Sequence, residues 1–245
     1  MGPRARVRVS ACPAAFRCAP AAGEVLAWVI DLSQPPVPRD DLFARLTPEE
    51  QERALRYKMA KPREEFVIGR GLLRGLLGEL LECDAAAVPL AYLPSGKPFV
   101  DASGAPHFNL THTDGVAVLA VARRRVGVDV ERMRPVLNAP GLVKRYFSAA
   151  ECAAFEALDE SARPTAFFRG WTCKEAVVKA AGATVSCLAD FDVDLDPKRE
   201  PRVLGVRAEE LTGDGWALAH WARQNVAIAV ALEGDGPLSV EGDAT

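Results

Sequence analysis

The amino-acid sequence predicts an α+β fold made of a pseudo-two-fold pair of similar α+β halves, with the functional site in the cleft between them. Three features indicate this: a helix-start pattern occurs twice, the helix after it occurs twice, and each half ends in a strand of small apolar residues. The predicted halves are residues 1–123 and 124–245. A cleft between two packed halves is a common place for a large ligand. The alternative is a chance likeness between two helix-rich stretches.

The first repeated feature is a capping signal at the start of a helix. Thr47 can cap a helix, and Glu50 stands three residues later, where it completes a capping box. Ser148 and Glu151 repeat this arrangement in the second half. Both positions therefore predict the first turn of a helix.

The elements after these caps also correspond. Residues 66–74 and 167–175 are predicted to be equivalent helices, and residues 116–122 and 226–232 to be equivalent small-apolar strands. Residues 234–245 are expected to form a loose terminus.

Composition excludes several classes of protein. The chain has 245 residues, of which 49% are hydrophobic and 26% are charged, as in an ordinary soluble protein. A net charge of -3 gives no general attraction to nucleic acid or to an anionic membrane, so neither is an expected partner. The six cysteines form no C-x-x-C pair, which disfavours a structural zinc site and predicts reduced thiols in a cytoplasmic protein.

One segment has a strong local charge. Residues 53–74 contain seven basic side chains and two acidic ones. This excess suits a phosphate-rich ligand or an acidic partner, and the alternative is a solvated helix face.

A short strand carries two carboxylates on one face. Side chains alternate along a strand, so residues 126, 128 and 130 are expected in the core, while Asp129 and Glu131 share the other face with Gly127. Two carboxylates at this spacing can hold magnesium, which prefers oxygen ligands and is commonly shared with substrate phosphates. Gly127 is expected to leave that face open to a ligand. The alternative is an ordinary strand with exposed acids.

The helix predicted over residues 167–182 carries a polar stripe. Trp171, Glu175 and Lys179 recur at four-residue spacing and therefore share one face. Their apolar neighbours indicate that the stripe is partly buried, and buried charged groups need a partner or a function. A metal ligand and an acid or base group would supply that function. The alternative is an ordinary surface pair of Glu175 and Lys179.

Three further residues are candidate phosphate contacts. Thr111 can donate a hydroxyl hydrogen bond, His112 an imidazole N–H, and Lys97 projects from a tight Ser-Gly-Lys-Pro turn. Each signal alone is weak, since a single histidine is more often structural.

Together, these segments resemble the Sfp-type 4'-phosphopantetheinyl transferase family. The resemblance covers roughly residues 46–182. Its motifs are G-R-x-L-L-R at 69–74, G-K-P at 96–98, F-N-[LIV]-[ST]-H-[ST] at 108–113, G-[VI]-D-[VI]-E at 127–131, Phe-Ser at 147–148 and W-x-x-K-E-A-x-x-K-x-x-G at 171–182.

The resemblance implies a pseudo-dimeric α+β fold that binds coenzyme A in its cleft, with phosphate contacts in the first half and magnesium in the second. The implied magnesium ligands are Asp129, Glu131 and Glu175. The implied phosphate contacts are Lys97, Thr111 and His112, together with Arg63 and Arg70 as basic residues that some branches use. The chain departs from the Sfp branch at Glu50, where that branch has a lysine, and at Phe66, where it has a small polar residue.

The activity implied is magnesium-dependent transfer of the 4'-phosphopantetheine moiety of coenzyme A to a serine of an apo acyl or peptidyl carrier protein, releasing 3',5'-ADP. Glu175 would act as base or metal ligand, and Lys179 would stabilise phosphate charge. Two fused halves predict a monomer. The alternatives are a non-catalytic coenzyme A-binding scaffold and a magnesium-dependent pyrophosphohydrolase. A carrier helix is expected to dock on an apolar patch formed by Leu137, Leu142, Val143, Tyr146 and Phe147, and the alternative is that these residues pack in the core.

Overall fold

A computed structural model describes residues 5–10 and 19–242 of the chain. The helices are α1 (Arg39–Ala44), α2 (Pro48–Arg56), α3 (Ala60–Leu81), α4 (Ala139–Tyr146), α5 (Ala149–Glu156) and α6 (Arg163–Ala181). The strands are β1 (Ala5–Ser10), β2 (Glu24–Asp31), β3 (Leu90–Tyr92), β4 (Pro98–Val100), β5 (His107–Thr113), β6 (Val116–Ala122), β7 (Val126–Arg132), β8 (Phe191–Val193), β9 (Val203–Val206), β10 (Trp216–Arg223), β11 (Val226–Glu233) and β12 (Leu238–Gly242).

The two halves have the same strand order. In the first half the order is β2-β6-β5, and in the second it is β7-β11-β10, with antiparallel pairing throughout. In each half the helices follow the first strand and precede the hairpin formed by the other two strands. The α+β prediction with paired halves is therefore confirmed.

The sheets and helices form four layers around three cores. The central core lies between the two sheets and contains small residues of both, such as Ala120 and Val128. Residues at alternating positions of the same strands face outwards onto the helices: Leu119 packs in the α3 core, and Ala229 packs in the α6 core. This alternation follows from the two-residue period of a strand.

A buried ion pair anchors the helices of the first half. Thr47 and Glu50 form the capping box that the sequence predicts at the start of α2. The carboxylate of Glu50 also accepts hydrogen bonds from Arg74 at 2.5 and 3.1 Å. Arg74 further donates to the carbonyl oxygens of Ala85 and Val88, so its charge is fully engaged.

The second half repeats this device. Ser148 and Glu151 form the capping box of α5. Lys174 of α6 is 1% exposed and donates to both carboxylate oxygens of Glu151 at 2.7 and 2.8 Å, and to the carbonyl oxygen of Phe191 at 2.6 Å. In both halves a cation of the second helix thus neutralises the capping glutamate of the helix before it.

Helix α6 lies directly on strand β7. A Cβ atom added at Gly127 would overlap the carbonyl oxygen of Ala176 and the amide nitrogen of Ala180, and would lie 2.9 Å from the Cα of Ala180. The expectation that Gly127 leaves its face open to a ligand is therefore wrong, because the helix backbone occupies that space.

The end of the described chain also differs from expectation. Residues 238–242 form β12, which pairs in parallel with β1 at the edge of the larger sheet, so this part of the predicted loose terminus is ordered. The pattern was missed because a short edge strand has few buried positions. Among the described residues, no helix combines the length and apolarity needed to span a bilayer.

We expect Gly127→Ala to lower the free energy of unfolding by about 2 kcal/mol or more, because the added methyl group must separate α6 from β7. Chemical denaturation of wild type and variant measures this difference. The matched control is Gly205→Ala in β9, where an added Cβ lies 3.4 Å from Asp192 and meets ordinary contact distances. Equal losses in the two variants would contradict this account.

We expect Lys174→Met to lower the free energy of unfolding by about 3–5 kcal/mol, since it leaves the Glu151 carboxylate buried without its partner. Arg207→Met is the control, because Arg207 pairs with Asp192 but its side chain is 50% exposed. An exposed pair of this kind contributes about 1 kcal/mol or less. Thermal and chemical denaturation would compare the two, and similar losses would argue against a structural role specific to Lys174.

Candidate active site

A cluster of charged groups lies where β5 of the first half meets β7 and α6 of the second. Asp129 is 4% exposed, and its Oδ1 accepts a hydrogen bond from the Lys179 ammonium at 2.5 Å. The Thr111 hydroxyl lies 3.4 Å from the same Oδ1 and 3.3 Å from the Lys179 Nζ. The structure thus brings together three residues that the sequence predicted separately.

Two more carboxylates belong to this cluster. Burial raises the pKa of Glu131, and the negative charges of Asp129 and Glu175 raise it further, against the opposing effect of Lys179. Burial also raises the pKa of Glu175, which Lys179 lowers and Asp129 raises. Three carboxylates therefore lie close to one another and to Lys179, and their mutual repulsion opposes ionisation of Glu131 and Glu175.

The donor set of this cluster fits a hard divalent cation. The Oδ2 atom of Asp129 is buried and, within the described part of the chain, has no hydrogen-bond partner. Carboxylate oxygens of this kind are what magnesium prefers. In residues 5–10 and 19–242, however, no three His, Cys, Asp or Glu side chains are already grouped as a metal site. The positive charge beside Asp129 is instead that of Lys179.

The polar stripe of α6 is partly buried, as predicted. Trp171, Glu175 and Lys179 are intermediate in exposure, whereas all six residues between them are buried. Trp171 contacts Tyr146 edge-on, with ring centroids 5.5 Å apart. The helix starts earlier than predicted, at Arg163, and ends at Gly182, whose φ of 73° is the left-handed conformation typical of a glycine C-cap.

A second group of residues lies on the other face of β5. His112 follows Thr111, so its side chain points to the opposite side of the strand. There it lines a cavity of about 380 Å³ together with Arg53 and Arg70. Thr111 and His112, predicted together as phosphate contacts, are therefore divided between the carboxylate cluster and this cation-lined cavity.

The two departures from the Sfp branch, Glu50 and Phe66, both lie beside the cation-lined cavity. Arg70 Nε lies 3.6 Å from the Glu50 carboxylate, and the guanidinium lies 6.0 Å from the ring centroids of Phe66 and Tyr92. Arg53 stacks over Phe66 at 4.9 Å. Sequence reasoning did not select Arg53 as a site residue, although the basic run from residue 53 to 74 was its signal.

Two other predicted phosphate contacts lie elsewhere. Arg63 lines a different cavity of about 500 Å³, with Phe43 and Leu55. Lys97 Nζ donates to the carbonyl oxygens of Val126 and Ala180 at 3.0 and 3.1 Å. Burial, with the nearby charge of Arg125, lowers the pKa of Lys97 to about 8.

Only some residues of the predicted carrier-docking patch are accessible at the protein surface. Val143 and Phe147 are each 3% exposed and belong to the α6 core, so including them was wrong. Leu142 and Tyr146 pack against that core and are partly buried, whereas Leu137 is fully exposed.

The described cysteines Cys83, Cys152, Cys173 and Cys187 are free thiols, and Cys12 and Cys18 lie outside the described residues.

Comparison with known proteins identifies the family. Residues 39–124 match the sequence profile described as 4'-phosphopantetheinyl transferase, N-terminal, and residues 125–231 match that of the 4'-phosphopantetheinyl transferase superfamily. The chain is 35% identical to 4'-phosphopantetheinyl transferase HetI of a Nostoc strain, over 87% of this chain and 89% of the relative. The chain belongs to the 4'-phosphopantetheinyl transferase superfamily.

Two more distant similarities accompany that membership. The 4'-phosphopantetheinyl transferase Sfp of Bacillus subtilis is 25% identical, over 61% of this chain and 66% of the relative. A crystal structure of holo-[acyl-carrier-protein] synthase from Helicobacter pylori in complex with coenzyme A aligns with 18% identity and a TM-score of 0.33, over 44% of this chain and 97% of that one. The resemblance inferred from the motifs of this transferase sequence is confirmed.

We expect the stability of this phosphopantetheinyl transferase to carry a pH-dependent contribution from Lys97. Its folded pKa of about 8 lies below the ordinary value of 10.5, so between these values the unfolded chain binds more protons. The contribution of Lys97 to the free energy of unfolding should therefore increase as the pH rises from about 8 to 10.5. Below about pH 8 the lysine is charged in both states, and the full cost of burying its charge then lowers the stability. Denaturation of wild type and Lys97→Met at several pH values measures their difference, and parallel pH profiles would contradict the assignment.

Proposed function

We propose that this protein transfers the 4'-phosphopantetheine moiety of coenzyme A to a serine of an apo acyl or peptidyl carrier protein and releases 3',5'-ADP. The observation that carries the proposal is the gathering of Asp129, Glu131 and Glu175 around Lys179 at the junction of the halves, in a chain of this superfamily. The serine oxygen would form a bond to the β-phosphorus, and the bond from that phosphorus to the bridging oxygen would break.

The charged groups suit the two ends of such a substrate. The cavity lined by Arg53, Arg70 and His112 is next to the carboxylate cluster across β5, and its cations favour the phosphate of the nucleotide. Thr111, whose hydroxyl now donates to Asp129, would instead donate it to a pyrophosphate oxygen. Arg63, which lies outside the walls of this cavity, stays a prediction as a phosphate contact.

Asp129, Glu131 and Glu175 would hold magnesium, as the orphaned Asp129 oxygen and the all-oxygen donor set support. A magnesium ion there would neutralise charge on the pyrophosphate oxygens. The ammonium of Lys179, now paired with Asp129, would then be released to contact the transferring or leaving phosphate.

The remaining requirement is removal of the serine proton. Glu175 serves either as a third magnesium ligand or as the acceptor of this proton, and the burial that raises the pKa of its carboxyl group favours the second role. The proton would leave the serine hydroxyl as the new oxygen–phosphorus bond forms. Transfer of this type depends mainly on positioning and charge neutralisation, which this cluster can provide.

The test is intact-mass spectrometry of an apo acyl carrier protein incubated with coenzyme A, magnesium and the protein. We expect the mass of one phosphopantetheine to be added by wild type, and the rate to fall about 100-fold or more with Asp129→Asn, Glu175→Gln or Lys179→Met. Lys198→Met, at an exposed position in the loop after β8, is the matched control and should retain the wild-type rate. Chelation of magnesium by EDTA should also abolish the transfer.

Each other outcome selects a different function. Binding of coenzyme A with no modification of several unrelated carriers would favour a scaffold. Cleavage of coenzyme A without carrier modification would favour a pyrophosphohydrolase. Near-normal rates for Glu175→Gln would remove Glu175 from the role of base.

A further inference from the structure

Among the described strands, β7, which carries Asp129 and Glu131, pairs with another strand along one edge only. In the described sheets it lies at the end of the order β10-β11-β7. Its other edge faces β5, yet β5 pairs along its ladder with β6. An unpaired edge presents main-chain groups that need partners when buried.

Two side chains of the first half supply partners for two of those groups. The N–H of Val128 donates to Oδ1 of Asn109 at 2.8 Å, and the carbonyl oxygen of Val126 accepts from Lys97 at 3.0 Å. Val126 and Val128 are two residues apart, so their main-chain groups point to the same edge of the strand. Asn109 is 6% exposed, which makes this contact part of the interior.

The Asn109 contact fixes the position of the carboxylate cluster. Val128 directly precedes Asp129, and Asn109 lies two residues before Thr111 on the same face of β5. The bond therefore sets Asp129 against Thr111, which are 3.4 Å apart. It also sets Asp129 relative to the cation-lined cavity, because His112 lies on that same strand.

The Lys97 contact adds the helix to this arrangement. The same ammonium donates to the carbonyl oxygen of Ala180, the residue after Lys179. One half-buried cation thus joins the start of β7 to the end of α6, where a positive charge also complements the helix dipole. The strand and the helix that carry the charged cluster are both tied to the turn between β3 and β4.

We propose that Asn109 and Lys97 are positioning residues that hold the unpaired edge of β7 and the end of α6 against the first half, so that the carboxylates face the phosphate-binding residues. The proposal rests on the proposed transferase function. For Lys97 it replaces the phosphate contact implied by family resemblance, because two of its three N–H donors are already engaged with main-chain carbonyls.

Steady-state kinetics separates positioning from phosphate binding. We expect Lys97→Met and Asn109→Leu each to lower kcat about tenfold or more, while KM for coenzyme A changes about twofold or less, because Arg70 and His112 remain in place to bind the nucleotide. Asn109→Asp keeps an acceptor oxygen at the same reach and should recover most of the lost kcat. A KM raised tenfold by Lys97→Met with kcat unchanged would overturn the proposal for Lys97.

Amide exchange tests the contact without any activity measurement. In Asn109→Leu we expect the Val128 amide, followed by NMR, to exchange about tenfold faster than in wild type, since its acceptor is lost. The amide of Ile228, which lies opposite Trp221 in the β10–β11 ladder, should keep its rate. If wild type fails to modify a carrier yet this exchange result holds, the transferase proposal fails and the contact stands. An unchanged exchange rate of the Val128 amide in Asn109→Leu would overturn the proposal. If Asn109→Leu does not fold, the kinetics of Lys97→Met provide the test.

Discussion

The close approach of helix α6 to strand β7 is the constraint on which the candidate site depends. At Gly127 the helix backbone lies against the strand with no side chain between them. Only this short separation lets Asp129 of the strand reach Lys179 of the helix at 2.5 Å. A larger residue at position 127 would move the two elements apart, and the carboxylates would no longer share one ammonium group.

The cluster around Lys179 is electrostatically unfavourable as a structural element. Burial and mutual repulsion raise the pKa of both Glu131 and Glu175, so folding must offset the cost of gathering these acids. The offset comes from the surrounding scaffold, in which the buried Lys174–Glu151 pair fixes α6 to α5. Neighbouring lysines of one helix thus have separate tasks: Lys174 holds the helix in place, and Lys179 meets the charged cluster.

The two halves share this scaffold but differ in the groups built on it. In each half a buried ion pair joins two helices: Glu50 with Arg74 in the first and Glu151 with Lys174 in the second. Near the first pair, Arg70 lines the cation-lined cavity. Near the second pair, Glu175 belongs to the carboxylate cluster. Strand β5 separates the two charged groups, because consecutive residues of a strand point to opposite faces. A ligand with several phosphates is suited to this arrangement, since cations bind one end and the acids can share a metal with the other.

The sequence by itself determined the features that depend on local spacing. The two capping boxes, the inward valines of β7, the stripe from Trp171 to Lys179 and the small-apolar strand that ends each half all follow from near neighbours in the chain. Together with the motif order, these were enough to predict the family and the residues of the charged cluster.

Only the tertiary structure decided which distant groups meet. Gly127 faces a helix rather than a ligand, Lys97 binds carbonyls of β7 and α6, and Arg63 and Arg70 line different cavities although both lie on α3. Arg63 and Arg70 stand about two turns apart, roughly 10 Å along the helix. The spacing of residues along the helix does not predict which other elements pack beside each of these two arginines. Such contacts depend on how the layers are stacked, and that information lies in long-range packing rather than in the spacing of residues along the chain.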